Sequence, residues 1–249
     1  MENPELFLIF FAVAFLYSSI GFGGGSSYIA ILAMYGIDFE ALRLMALLCN
    51  ITVVSFSVSY YTGRKMIDMS DTWPLIMLSI PFAFIGGRIE LSKTVFLITL
   101  GMVLVFASIV IFFKRKSSAE TSAISDKTHI KTKVGVGAGV GFLSGLVGIG
   151  GGVFLSPILH LIRWNSAKRI AAASSFFIMV NSMAGLLGRF SRGAIIPDWS
   201  FAILLMSAVF LGGQVGMRLG TQILSELIVR RLTSVLIFYV GVKLIFSNI

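Results

Sequence analysis

Hydrophobic positions along the chain fall into apolar segments that are separated by short polar stretches. Four stretches of 19 or 20 residues contain no charged side chain: 44–63, 95–113, 170–188 and 199–217. About 20 apolar residues in a helix cross the hydrocarbon core of a bilayer. The segments of the first half lie near 6–20, 26–36, 41–62, 73–89 and 95–113. Those of the second half lie near 134–147, 153–162, 168–188, 199–217 and 229–247. This pattern predicts an all-α polytopic membrane protein.

The composition agrees with a membrane protein. Of the 249 residues, 57% are hydrophobic and 12% are charged, whereas soluble domains have about 25% charged residues. The net charge of +9 is explained by basic loops that stay on the cytoplasmic side. We therefore expect a multi-pass protein of the plasma (inner) membrane. Its expected partners are the lipid bilayer and a small anionic substrate, with a homodimer as a further option; nucleic acid is not expected.

The two halves of the chain repeat each other. A glycine-rich motif near the start recurs 127 residues later, and three further pairs, among them "AFIGGRI" at 83–89 and "VFLGGQV" at 209–215, share an offset of 126. The sequence thus predicts a first transmembrane repeat (1–113), a polar cytoplasmic linker (114–133) and a second transmembrane repeat (134–249). Each repeat has a short helix pair broken at glycines, followed by three transmembrane helices. Internal repeats of this kind are typical of transporters.

The distribution of basic residues favours inverted repeats. If each broken pair crosses the membrane once, the two sides carry ten and nine basic residues; if each pair returns to its starting side, they carry fourteen and five. Basic residues concentrate in cytoplasmic loops, so the second arrangement is favoured. Each repeat then crosses an odd number of times, and both termini lie outside. Re-entrant hairpins and short full crossings both remain compatible with this count.

The glycine motifs interrupt the hydrophobic segments at matched places, and the matched residues are Gly21, Gly23, Gly24 and Gly25 in the first repeat and Gly148, Gly150, Gly151 and Gly152 in the second. Glycine permits the positive φ angles of a tight turn. Backbone N–H groups in such a turn, together with a helix N-terminus, attract anions. We predict that two such turns meet near the membrane midplane and bind a small anion, with Ser26, Ser27 and Pro157 in the helices that follow. Glycines 86, 87, 212 and 213 are interpreted as sites of close helix packing.

Other polar residues inside apolar segments are candidates for the substrate path. Asn50 and Asn181 line this path or form hydrogen bonds between helices, and Ser174 and Ser175 lie in the segment that contains Asn181. Arg43 and Arg169 occupy matched positions. Either their side chains extend to the membrane interface, or they attract anions to entrances on opposite sides.

The residues that are missing from the apolar segments also narrow the function. No carboxylate lies in the middle of a segment, although proton relays in pumps use such residues. "GLVGIGG" lacks the lysine of a phosphate-binding loop, and no nucleophile motif indicates an enzyme. We expect a transporter without a cofactor or a metal. An anion channel without alternating access is the alternative.

The paired motifs "GFGGG" and "GIGGG…P", with "ALRLMALLCN" and "WPLIMLSIPFAFIGGR", resemble the sulfite exporter TauE/SafE family of membrane permeases. The resemblance covers nearly the whole chain outside 114–133. It implies the transport of small sulfur-containing anions, such as sulfite, sulfonates or sulfoacetate, across the plasma membrane.

Reporter fusions test the predicted topology. A reporter enzyme that is active only outside the cytoplasm should work when it is fused at Ile249 and fail between Ser117 and Thr121, because the linker lies on the side with fourteen basic residues. A cytoplasmic C-terminus would contradict the inverted arrangement.

Overall fold

A computed structural model of the chain describes residues 4–19, 22–90, 92–113, 130–162, 164–194, 198–220 and 226–246. In these ranges the only regular elements are helices, which confirms the all-α fold. The helices of the first half are α1 (Pro4–Ser18), α2 (Gly25–Met34), α3 (Phe39–Gly63), α4 (Met69–Ile76), α5 (Ser79–Arg88) and α6 (Lys93–Phe113). Those of the second half are α7 (Ile130–Val147), α8 (Gly152–Leu161), α9 (Ala167–Phe190), α10 (Trp199–Val215) with a π-helical turn at Gly216–Gly220, and α11 (Glu226–Phe246).

The short helices α2 and α8 begin at matched glycines, Gly25 and Gly152. Each has 10 residues and is therefore about 15 Å long, half of the roughly 30 Å hydrocarbon core. The first eight residues of α2 are all buried. The helices α3, α7 and α9, the joined pair α4–α5, and α10 with part of its π-helical turn are long and apolar enough to cross a membrane.

The apolar segment near 73–89 is broken between α4 and α5. Pro81 lies four residues after Met77, and a proline ring clashes with the carbonyl group four residues earlier and removes one helical hydrogen bond. The matching segment of the second half is continuous as α10 and ends in the π-helical turn. The two repeats therefore share their order of elements but bend at different places.

The second repeat begins earlier than the pattern of apolar residues predicts. α7 starts at Ile130, whereas the sequence predicted a polar linker up to residue 133. Nζ of Lys133 donates a hydrogen bond to Oδ1 of Asp71 at 3.0 Å, so the charged first turn of α7 is paired with α4. Residues 114–129 of the predicted linker lie outside the described residues.

Helices of one half pack mainly against helices of the other half. α3 packs against α9, and α6 against α11; each of these pairs joins helices that correspond in the repeat. α5 packs against α7 and α9, and the corresponding helix α10 packs against α1 and α3. The pattern of contacts therefore stays the same when the two halves are exchanged.

Glycines make the closest of these contacts. On α7, Gly137, Gly141 and Gly145 are spaced by four residues, and a β-carbon on any of them would collide with the backbone of α4 or α5. The four glycines interpreted above as packing positions also lie in close contacts. A β-carbon on Gly86 would meet the carbonyl oxygen of Phe142, and one on Gly87 would meet that of Gly185. A β-carbon on Gly212 would meet the carbonyl oxygen of Phe11, and one on Gly213 would meet the Val53 side chain. The packing interpretation of these glycines is therefore confirmed.

Alanine substitutions on α7 test this packing. Gly145→Ala places a methyl group against the Ala83 carbonyl group and should lower the melting temperature of the detergent-purified protein by several degrees, because overpacking costs about 1–3 kcal/mol. Gly139→Ala is the matched control on the same helix, where a β-carbon meets nothing within 4 Å. It should leave the melting temperature unchanged or raise it. Equal effects of the two substitutions would contradict the packing role.

Candidate functional site

The predicted glycine turns are present in both halves. Gly24 and Gly151, which correspond in the repeat, have φ angles of +84° and +81°, and Gly148 and Gly150 both have a φ of +73°. Residues with a side chain rarely adopt these angles. Gly21 lies outside the described residues. The conformation predicted from the repeated motif therefore occurs at matched positions.

Each turn leads directly into a short helix. The carbonyl oxygen of Gly24 accepts hydrogen bonds from the N–H groups of Ser27 and Tyr28 at 3.0 and 3.1 Å, and that of Gly151 accepts from Phe154 and Leu155 at 3.1 and 2.9 Å. No side chain caps the start of α2. The first N–H groups of a helix have no partner within the helix and carry its partial positive charge. An uncapped, buried helix start is therefore suited to donate hydrogen bonds to an anion.

The two turns approach each other at Asn50 of α3. A β-carbon at Gly23 would lie 2.5 Å from Oδ1 of Asn50, one at Gly25 would collide with Nδ2, and one at Gly150 would lie 3.1 Å from Nδ2. The amide thus touches the glycine motifs of both repeats. Ile178 of α9 also contacts both motifs, since it lies beside Gly23, Gly150 and Gly152.

Buried polar atoms without a hydrogen-bond partner surround the turns. They include both amide atoms of Asn50 and the hydroxyl groups of Tyr28, Ser144 and Ser182. Ser182 and Ser144 lie 2.5 and 3.3 Å from the β-carbon positions of Gly150 and Gly151, and Tyr28 lies 2.8 Å from that of Gly24. A buried polar group without a partner costs about 1–3 kcal/mol. The atoms beside both turns therefore form a buried polar centre with several hydrogen-bonding groups that have no partner.

The remaining predicted serines divide between this centre and the scaffold. The hydroxyl groups of Ser26 and Ser174 are buried without a partner. Ser27 forms a hydrogen bond of 2.8 Å with the hydroxyl group of Tyr17, and Ser175 donates to the Ala171 carbonyl oxygen at 2.9 Å. The last two hydroxyl groups are therefore engaged within the protein. Pro157 lies inside α8.

Asn181 forms a hydrogen bond between two helices, and its Oδ1 is buried without a partner. Its Nδ2 donates hydrogen bonds to Oγ of Ser79 at 3.0 Å and to the Phe177 carbonyl oxygen at 2.8 Å, and the first of these links α9 to α5. The hydrogen bond between helices that the sequence offered as one alternative for Asn181 is therefore present. The residue that faces Gly150 is its neighbour Ser182, which lies one helical turn after Ile178; this spacing of four residues is the signal that could have identified it.

The two matched arginines lie in different environments. Arg169 is exposed and lies 3.9 Å from Asp68. The hydrogen bond from the Ser70 side chain is the main reason that the pKa of Asp68 is lowered, and the charge of Arg169 contributes least. Arg169 is therefore at the surface, a position compatible with both of the alternatives given for it.

Arg43, by contrast, is fully buried, so its side chain does not extend to the membrane interface, which was the first of its two alternatives. Its Nη2 donates to the carbonyl oxygen of Leu146, and its guanidinium carbon lies 5.2 and 4.9 Å from the ring centres of Phe39 and Phe96. A cation is stabilised at a helix C-terminus, and Leu146 is in the last turn of α7. Arg43 therefore binds the end of the helix that leads into the second glycine turn.

Membrane helices in two repeats, with glycine breaks beside a buried polar centre, are the architecture of a multi-pass transporter. No group of three or more metal-binding side chains occurs in the described part of the chain. The family described as sulfite exporter TauE/SafE matches residues 6–244, and the chain belongs to this family. It is therefore a membrane transporter and not an enzyme.

Three relatives carry the same general description. The probable membrane transporter protein y4hK of Sinorhizobium fredii is 30% identical over 98% of both chains. The probable membrane transporter protein YunE of Bacillus subtilis is 34% identical over 44% of this chain and 39% of its own length. A probable membrane transporter protein of Methanocaldococcus jannaschii is 26% identical over 74% of this chain and 71% of its own. No solved structure matches the chain.

Amide substitutions test whether carboxylates near the helix ends have a coupling role. Asp38 and Asp198 accept hydrogen bonds from the first turns of α3 and α10, and Glu90 pairs with Arg192 at 2.6 Å. Asparagine caps a helix about as well as aspartate. Asp38→Asn, Asp198→Asn and Glu90→Gln should therefore leave transport within about threefold of wild type in a vesicle flux assay. Loss of flux in a normally folded variant would reveal a coupling carboxylate.

Proposed function

We propose that the chain transports small anions, in particular sulfur-containing ones such as sulfite, sulfonates or sulfoacetate, through the centre around Asn50. The observation that carries this proposal is the meeting of two matched glycine turns, at Gly24 and Gly151, beside one buried amide. The description of the family as sulfite exporters supports the class of substrate.

The chemistry of the centre suits a small oxyanion. Backbone N–H groups at the starts of α2 and α8 supply partial positive charge, while Nδ2 of Asn50 and the nearby hydroxyl groups supply neutral donors. Each hydrogen bond to a charged group contributes about 1.5–3 kcal/mol. Because these donors are dipoles and not full charges, the anion is held without an ion pair that would oppose its release.

The directions of the helices support inverted repeats and alternating access. Leu47 of α3 lies beside Gly185 of α9, and Asn50 of α3 and Ser182 of α9 both lie beside Gly150. Residue numbers therefore rise along α3 in the direction in which they fall along α9. Helices that correspond in the repeat thus pack in an antiparallel manner, as an axis in the membrane plane requires. Rocking of one helix group against the other would then open the centre to each side in turn.

Alanine substitutions in the glycine turns test the proposal. Gly24→Ala and Gly151→Ala force a side chain into a left-handed turn beside Tyr28 or Phe177 and disturb the N–H groups that face the anion. Loss of one charge-assisted hydrogen bond should lower the affinity at least about tenfold. The measurements are saturable sulfite uptake and counterflow in proteoliposomes, and sulfite binding by calorimetry.

Gly36→Ala and Gly193→Ala are the matched controls. Both glycines have positive φ angles, +72° and +83°, but a β-carbon there meets nothing within 4 Å. They reproduce the backbone strain without touching the centre, and their sulfite affinity should equal that of wild type. If the four variants fold and bind sulfite alike, the anion does not bind at the glycine turns.

A further inference from the structure

A charged cluster near the start of α3 takes no part in the central site. Arg43 of α3 and Arg189 of α9 have exposed fractions of 0% and 3%, and the Glu40 carboxylate lies between them. Nη1 of Arg189 donates to Oε2 of Glu40 at 2.8 Å, and Nη1 of Arg43 lies 3.5 Å from Oε1. Two buried cations therefore share one carboxylate, and the cluster keeps a net positive charge.

The guanidinium groups of this cluster have more donors than acceptors. Nε of Arg43, and Nε and Nη2 of Arg189, are buried without a hydrogen-bond partner. A guanidinium group presents five N–H donors in a planar fork that matches carboxylates and other oxyanions. A buried charge that is only partly compensated is costly. The cluster thus has unused donors and unused positive charge for a second anion.

We propose that Arg43 and Arg189 form an oxyanion-binding site at one entrance of the transport path, and that Glu40 occupies this site as a built-in competitor. The Glu40 side chain is 46% exposed, so it lies on the solvent side of the two guanidinium groups. An arriving oxyanion displaces the carboxylate and takes over its contacts. The inference rests on the proposed anion transport for the class of its ligand.

The cluster is connected to the second glycine turn. Besides its contact with Leu146, Arg43 has its Cβ 3.7 Å from the β-carbon position of Gly148. An anion held by Arg43 would therefore lie near the backbone that leads to the central site. In the repeat, Ser166 and Gly63 stand at the positions of Glu40 and Arg189, so the cluster belongs to one face of the protein only.

Calorimetric titration of sulfite into the detergent-purified protein tests this site. Glu40→Gln removes the competing charge and should tighten sulfite binding about tenfold, whereas Arg189→Gln should weaken it about tenfold by removing a charge-assisted contact. Glu90→Gln is the matched control, because it breaks the ion pair with Arg192 without touching either buried arginine. Its affinity should equal that of wild type. The same titrations in a Gly151→Val background, which alters the central site, isolate the entrance site.

The sign of the Glu40→Gln effect distinguishes a competitor from a structural counter-ion. Weaker or unchanged sulfite binding in Glu40→Gln overturns the proposal, whatever the change in melting temperature. If Arg189→Gln does not yield monodisperse protein, Arg189→Lys replaces it, and its loss of the planar fork should still weaken binding. Tighter binding in Glu40→Gln without any sulfite flux in wild-type vesicles would refute transport and leave the entrance site standing. Sulfite flux in wild-type vesicles without tighter binding in Glu40→Gln would support transport and refute the entrance site.

Discussion

Backbone polar groups inside a membrane need partners within the protein, and this requirement governs the whole structure. A helix break such as those at Gly24 and Gly151 exposes N–H and C=O groups that lipid cannot satisfy. The breaks persist because α3 and α9 pack over them and present Asn50 and Ile178 to both turns. α2 and α8 are thereby enclosed by longer helices. The enclosure that makes the breaks tolerable also creates a polar centre away from lipid.

Much of the fold could be predicted from the sequence because its signals are periodic and repeated. The starts of α2 and α8 follow from the glycine motif, whose second copy identifies the first as a structural feature. The Pro81 break differs in kind: it has no counterpart in the second half, so the repeat could not reveal it. The early start of α7 also escaped prediction, because the pairing of Lys133 with Asp71 depends on a tertiary contact.

The candidate site could be predicted less completely, for a geometric reason. Successive residues on a helix point about 100° apart, so Asn181 and Ser182 face different neighbours although both are buried. When a helix is covered on most sides, its sequence has no polar face that shows which of these two side chains points to the centre. The burial of Arg43 likewise depends on Leu146 and Phe96, which are distant in the chain. Whether the central residues bind an anion stays a prediction.

The glycines of α7 show that the closely packed helix pairs do not coincide with the two sequence repeats. Gly141 lies against Ser79 and Gly145 against Ala83, so α5 and α7 run side by side in the same direction with their backbones in contact. α1 and α10 do the same, with Gly212 against Phe11 and Gly216 against Phe15. Each of these close pairs takes one helix from each repeat. Both of these glycine rows lie in the second repeat and their partners lie in the first, so the second repeat expressed alone would expose both rows, and two copies of it could cover them only by pairing with each other.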